Sequence, residues 1–127
     1  MKQSDITPEI IALSRKIAEY WRMEIYKGCW YCDIDILCLW HENYEPDFPD
    51  EVFPIPSISD CLEKLRALNL RVYISGLHYK YPVNDEKWYS VSIHRLPYGE
   101  EIVFICIENF HEALLQALLA VLEGSHE

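Results

Sequence analysis

Basic residues are scarce in this sequence. Lysine and arginine number 11 against 21 aspartates and glutamates, a formal net charge of −10. Nucleic-acid affinity rests on cations that displace counterions from phosphates, so a chain this acidic is not expected to bind nucleic acid. Arg15, Lys16 and Arg22 come nearest to a basic patch, and Glu19 and Glu24 interrupt them. Glycine is sparse too: the four stand apart at 28, 76, 99 and 124, and no phosphate-cradling loop occurs. Long apolar runs are missing. The first nine residues, MKQSDITPE, hold no secretory apolar segment. The greasiest stretch, Ala113 to Leu122, is ten residues long and broken by Gln116, which is too short for a membrane span. Five cysteines in a chain without a visible leader read as thiols in a reducing compartment, so the expected location is the cytoplasm. No internal repeat or low-complexity segment is present.

What is there is hydrophobic patterning. Half of the 127 residues are hydrophobic and 13% are aromatic, enough for a core without staples. One domain over residues 1–127 is expected, burying roughly two-thirds of its unfolded surface. Asn109 to Gly124 organises the expectation. Asn109 caps, Glu112 completes a capping-box-like pair, and Gly124 stands where a left-handed C-cap is wanted. Between the caps, Leu114, Leu115, Leu118, Leu119, Val121 and Leu122 leave most of the circumference apolar. Such a helix must be covered on more than one side, by a sheet and by another helix or subunit.

Earlier in the chain, Thr7-Pro8-Glu9 starts a first helix expected to run to about Met23. Lys27-Gly28 marks a turn, with room for a short strand at Glu24 to Tyr26. Cys29 to His41 reads as one extended segment, with Cys32, Ile34, Ile36, Cys38 and Trp40 inward and Asp33 and Asp35 outward. Glu42 to Pro56 holds four of the seven prolines and reads as a long ordered loop. Ser57 caps a second helix whose stripe is Ile58, Cys61, Leu62, Leu65 and Leu68, ending at Asn69. Strands follow at Arg71 to Tyr81, Lys87 to Arg95 and Ile102 to Ile107, the last expected to be central because it is apolar throughout. The fold class predicted is α+β: an antiparallel β-sheet of about four strands packed with three helices, as a helix–sheet–helix sandwich.

Several groups invite chemistry. Cys29-x-x-Cys32 and Cys38-x-x-His41 supply four zinc-type ligands within thirteen residues. If 33–40 is one strand, however, Cys32 and Cys38 lie about 20 Å apart, whereas thiolates on one zinc sit within ~4 Å of each other. The thiols are therefore expected to be buried small hydrophobes, with no metal or other cofactor. Ser90, Ser92 and His94 share one side of a strand, and Ser75 can face them from its neighbour. No acid is expected to orient the histidine and no glycine-rich elbow surrounds a serine, so no catalytic residue is assigned. His78 and His111 are lone histidines, expected at the surface or its boundary. The carboxylates of Glu42 to Glu51 lack the spacing of a calcium loop. Tyr73, Tyr79, Tyr81, Trp88, Tyr89 and Tyr98 crowd one hairpin region, as extra core or as partner surface.

Three stretches stand out together: Gly28 to Tyr31 (GCWY), Phe53 to Leu68 (FPIPSISDCLEKLRAL) and Ala113 to Glu123 (ALLQALLAVLE). Their arrangement resembles small phage- and prophage-encoded proteins of the phage ABA-sandwich type, in which helices flank an antiparallel sheet. The resemblance implies a viral or mobile-element origin and the cytoplasm of a bacterial host. It carries no catalytic or binding residue. The function expected is a non-catalytic protein-interaction module, pairing with itself as a homodimer or with another protein, with candidate interface residues Leu115, Leu119, Leu122, Tyr79, Tyr81 and Trp88. Two alternatives differ in class: an acidic decoy of a nucleic-acid-binding host protein, and a metal or thiol site built on Cys29, Cys32, Cys38 and His41.

Overall fold

In a computed structural model the described residues are 2–33, 36–40, 52–80, 85–96 and 99–124, with the backbone alone for 76–80 and 85–88. The class is α+β, with three α-helices and two three-stranded antiparallel sheets among these residues. The chain divides into two compact units, Met1–Ser57 and Ile58–Glu127.

The first unit opens with a short 3-10 turn, Gln3–Asp5, and then α1, Pro8–Ile17. Thr7 caps α1 as expected: its Oγ1 accepts from the Ile10 amide at 3.1 Å. Replacing Thr7 with alanine is expected to destabilise the protein by about 1 kcal/mol, read from urea unfolding; no change would remove the cap from the stability of this helix. Ile10 and Ile17 are buried, and buried Ser14 donates to the Ile10 carbonyl at 2.7 Å. The helix stops at Ile17, short of Met23: the next amides bond back to Lys16 and Ile17 in a closing turn over residues 18–20. A serine bonded to its own i−4 carbonyl competes with the regular ladder one turn earlier. The turn at Lys27-Gly28 is present, with Gly28 at φ +97°, and residues 24–26 form no strand.

The extended segment expected at 29–41 is a hairpin. Strand β1, Trp30–Asp33, pairs antiparallel with β2, Ile36–Leu39, in the register Cys32↔Leu37 and Tyr31↔Cys38. The single alternating strand is therefore two paired strands, and Ile36, expected inside, is 64% exposed; Ile34 and Asp35 lie outside the described residues. The end of the proline-rich stretch is also a strand. β3, Phe53–Ile55, lies on the other side of β1, giving the order β2-β1-β3. Among the described strands β3 is an edge, the position in a sheet where proline is tolerated. Helix α1 packs on β3, and the Arg15 guanidinium sits 5.4 Å above the Phe53 ring.

The second unit begins with α2, Ile58–Ala67. Cys61 and Leu65 form its fully buried stripe, while Ile58 and Leu68 stay more than a third exposed. Asn69, at φ +61°, ends it in the left-handed conformation that asparagine tolerates. A meander follows: β4, Leu70–Lys80; β5, Asp85–Arg95; β6, Glu100–Ile107. The order is β4-β5-β6, so β5 is central and the apolar β6, expected in the middle, is an edge among the described strands. Its exposed Phe104 is the visible consequence. Helix α3, Phe110–Gly124, completes the unit, with the Glu112 amide donating to Asn109 Oδ1 at 3.0 Å. It packs on β5, β6 and α2, and Ala113, Leu114, Leu115, Ala117 and Leu118 are fully buried. The expected cover on more than one side is thus a sheet plus a helix of the same chain.

Candidate functional site

Strand alternation divides the second sheet into two faces. On β5, Val91 and Ile93 point one way and are fully buried, and Tyr89 on that side meets Phe110 of α3 with ring centroids 5.6 Å apart. Ser90, Ser92 and His94 point the other way. Their register neighbours build three cross-strand rows on the outer face: Arg71–His94–Glu101, Tyr73–Ser92–Phe104 and Ser75–Ser90–Cys106. Ser75 therefore does lie opposite Ser90. A bulge between Ile93 and His94 makes room for Ile102 as an extra residue of β6 and brings Glu101 beside His94.

These rows hold a serine–histidine contact. Ser92 Oγ and His94 Nε2 are 2.7 Å apart, His94 Nδ1 is 2.8 Å from the Gly99 carbonyl, and Ser92 Oγ donates to Glu101 Oε1 at 2.7 Å. The Tyr73 ring stands edge-on to the imidazole at 4.8 Å. An acid is present after all, but it binds the serine and not the imidazole. Counting protons shows what the network can do. The Gly99 carbonyl only accepts, so Nδ1 carries a proton. Ser92 has one proton to give, so it donates to only one of Glu101 and Nε2 at a time. With the hydroxyl donating to Glu101, its proton points to a carboxylate and not to the imidazole. Ser92 also lies within the central strand, which is paired by ladders on both sides. The arrangement orients Ser92, His94 and Glu101 toward one another on the outer face of the sheet.

The cysteine pattern is rearranged by the hairpin. Cys32 and Cys38 are not 20 Å apart, because β1 and β2 lie side by side. They occupy adjacent register positions, and adjacent positions project to opposite faces of a sheet. Cys29 and Cys32 are buried, and the Cys29 thiol contacts the Trp30 carbonyl at 3.1 Å. All five cysteines are free thiols. Among the described residues no three His, Cys, Asp or Glu side chains gather as a metal would require. His41 and the carboxylates of 42–51 lie outside the described residues, as does Tyr81; for Tyr79 and Trp88 only the backbone is described. Leu115, Leu119 and Leu122 are all buried, at 0%, 8% and 5% exposure, so these candidate interface leucines sit inside the chain. His111 is likewise buried, although expected at the surface or its boundary.

A groove of about 420 Å³ at the end of the second unit is lined by Leu68, Leu70, Leu96, Ile102 and Val121, with Arg95 the only charged residue on it. Its volume falls in the range of small-ligand sites, and Asn69 is a second polar residue on its wall. Sequence reasoning missed Phe104, Tyr73 and Glu101 as a group because their proximity depends on a bulged register.

No family is assigned. Neither a protein-family model, nor a curated protein, nor a solved structure matches the chain. Among the described residues no helix is long and apolar enough to cross a membrane.

Proposed function

We propose that the protein is a non-catalytic association module whose contact surface is the outer face of the β4-β5-β6 sheet. One observation carries the reading: Tyr73 and Phe104, 49% and 57% exposed, stand in one cross-strand row on either side of Ser92. Exposed aromatics held on a rigid sheet are the residue type that anchors protein interfaces. The hydrogen bonds around His94 fix the polar row beside them and reduce the ordering that docking would require. The surface leaves α3 out, since its leucines are occupied within the chain. The resemblance to phage-encoded sandwich proteins supports a mobile-element accessory role in the cytoplasm of a bacterial host.

The test compares wild type with a Tyr73→Glu/Phe104→Glu variant. Light scattering on the purified protein reports self-association, and co-purification from the host with mass spectrometry reports other partners. The expected result is a species, self or other, retained by the wild type and lost in the variant. A wild type that stays monomeric and retains nothing beyond what the variant retains would overturn the reading.

A further inference from the structure

Strand β6 ends the second sheet, and no described strand pairs with its outer edge. An unpaired edge offers a row of free N–H and C=O groups, and proteins usually blunt such edges with proline or lysine. β6 (EEIVFICI) contains neither. The bulge at Ile102 blunts only its beginning and leaves 103–107 as a regular five-residue stretch, an ordinary strand length. Phe104, 57% exposed, lies within that stretch.

Charge selects the occupant of this edge. From Glu100 to Gly124 the chain carries five glutamates, Glu100, Glu101, Glu108, Glu112 and Glu123, and not one lysine or arginine. Three of them bracket the apolar stretch: exposed Glu100 and Glu101 before it and exposed Glu108 after it. A second copy of β6 fits poorly. Antiparallel pairing about Phe104 sets Glu100 of each copy opposite Glu108 of the other, and parallel pairing sets the glutamates against themselves; like charges opposite one another destabilise a sheet. The β4 edge of another copy carries Arg71 and Lys80, but a β4-to-β6 contact is head-to-tail and leaves both outer edges free to continue.

We infer that the β6 edge accepts an extended segment of a basic protein partner, added as a fourth strand, with alternate apolar side chains beside Phe104 and lysine or arginine at both ends facing Glu100/Glu101 and Glu108. This inference rests on the association reading above and narrows it to one edge and one kind of partner. Main-chain bonds to the edge supply affinity in such additions, and the flanking charges supply specificity and rate of encounter.

The experiment is a display selection of random nine-residue peptides on the intact protein, followed by fluorescence anisotropy with the enriched peptide. Enrichment of alternating apolar residues with Lys or Arg at both ends is expected. Binding should weaken roughly tenfold or more between 50 and 300 mM salt and by a similar factor in Glu100→Lys/Glu108→Lys, which leaves the Ser92–Glu101 bond intact. NMR shifts should fall on the amides of 103–107, and Phe104→Thr, a good strand former, should weaken binding while the fold persists. Enriched peptides without basic ends, or binding indifferent to Glu100→Lys/Glu108→Lys, would overturn the inference. So would concentration-dependent growth of open-ended oligomers, the signature of β4-to-β6 stacking. If partners are lost with Tyr73→Glu/Phe104→Glu yet ignore the glutamate reversal, this inference fails while the association reading stands; if nothing binds and the chain is monomeric, both fail.

Discussion

Replacing Leu118 with alanine is expected to lower the unfolding free energy by about 2–5 kcal/mol, the usual range when a buried leucine leaves a cavity that cannot fully collapse. Leu118 is 0% exposed, on a helix held by β5, β6 and α2 at once. Covered from two directions, the site cannot close by a shift of one neighbour, which places the effect toward the upper part of the range. A domain of this size has about 5–15 kcal/mol in total, so the variant will be close to unfolding. Urea denaturation followed by far-UV circular dichroism gives the number. Ile36→Ala is the control: at 64% exposure it is expected to change stability by no more than about 0.5 kcal/mol. Equal losses in the two variants would contradict the placement of the core.

The second large effect concerns Cys61. Burial pushes its thiol well above the ordinary range, and the neighbouring Asp60 carboxylate pushes it further the same way. Only the thiolate reacts, so Cys61 is expected to resist alkylation in the folded protein. If exposure requires unfolding by 5 kcal/mol or more, labelling should be slower than that of the free thiol by a factor of about 10³ to 10⁴. Cys38 and Cys106, only partly buried, are the internal comparison. Mass-spectrometric peptide mapping after timed exposure to iodoacetamide separates them, and labelling of Cys61 as fast as Cys106 would refute its burial. The same shift has a consequence for pH. The folded state holds the Cys61 proton more tightly than the unfolded chain does, so its contribution is complete below the ordinary thiol value of about 8.5. Above that pH unfolding releases the proton, and stability falls by about 1.4 kcal/mol per pH unit. A Cys61→Ala variant should lack that slope, whatever its baseline stability.

Much of the helical structure was legible because capping chemistry is local. Thr7-Pro8, Ser57 and Asn109 mark the three starts and Asn69 the end of α2, within a few residues; Gly124, expected as a left-handed C-cap, is instead the last helical residue of α3 and not at positive φ. The all-round apolarity of α3 correctly required two covering elements but did not identify them; the second is α2, so no other subunit is needed to account for it. The sheets were harder for reasons of register. Asp33-Ile34-Asp35-Ile36 alternates without glycine, asparagine or proline, so the period of two ran from β1 into β2 with nothing to separate the two strands. Pro54 suppressed the expectation of a strand at Phe53–Ile55, although an edge strand tolerates it. The apolar run of β6 suggested cover on both faces, yet its apolar residues divide between α3 on one side and an exposed Phe104 on the other. The outer-face row was half visible: a period of two placed Ser92 and His94 together, but Glu101 reaches Ser92 only through the bulge at Ile102.

The consecutive order β4-β5-β6, followed directly by α3 on the same sheet, also bears on how the chain finds its structure. Every strand in this meander pairs with its immediate successor, so the separation along the chain between partners is small and little loop entropy is lost at each step. Rate in small domains follows that separation. Refolding of this half is therefore expected in roughly the millisecond range, faster than sandwiches whose strands pair across distant stretches.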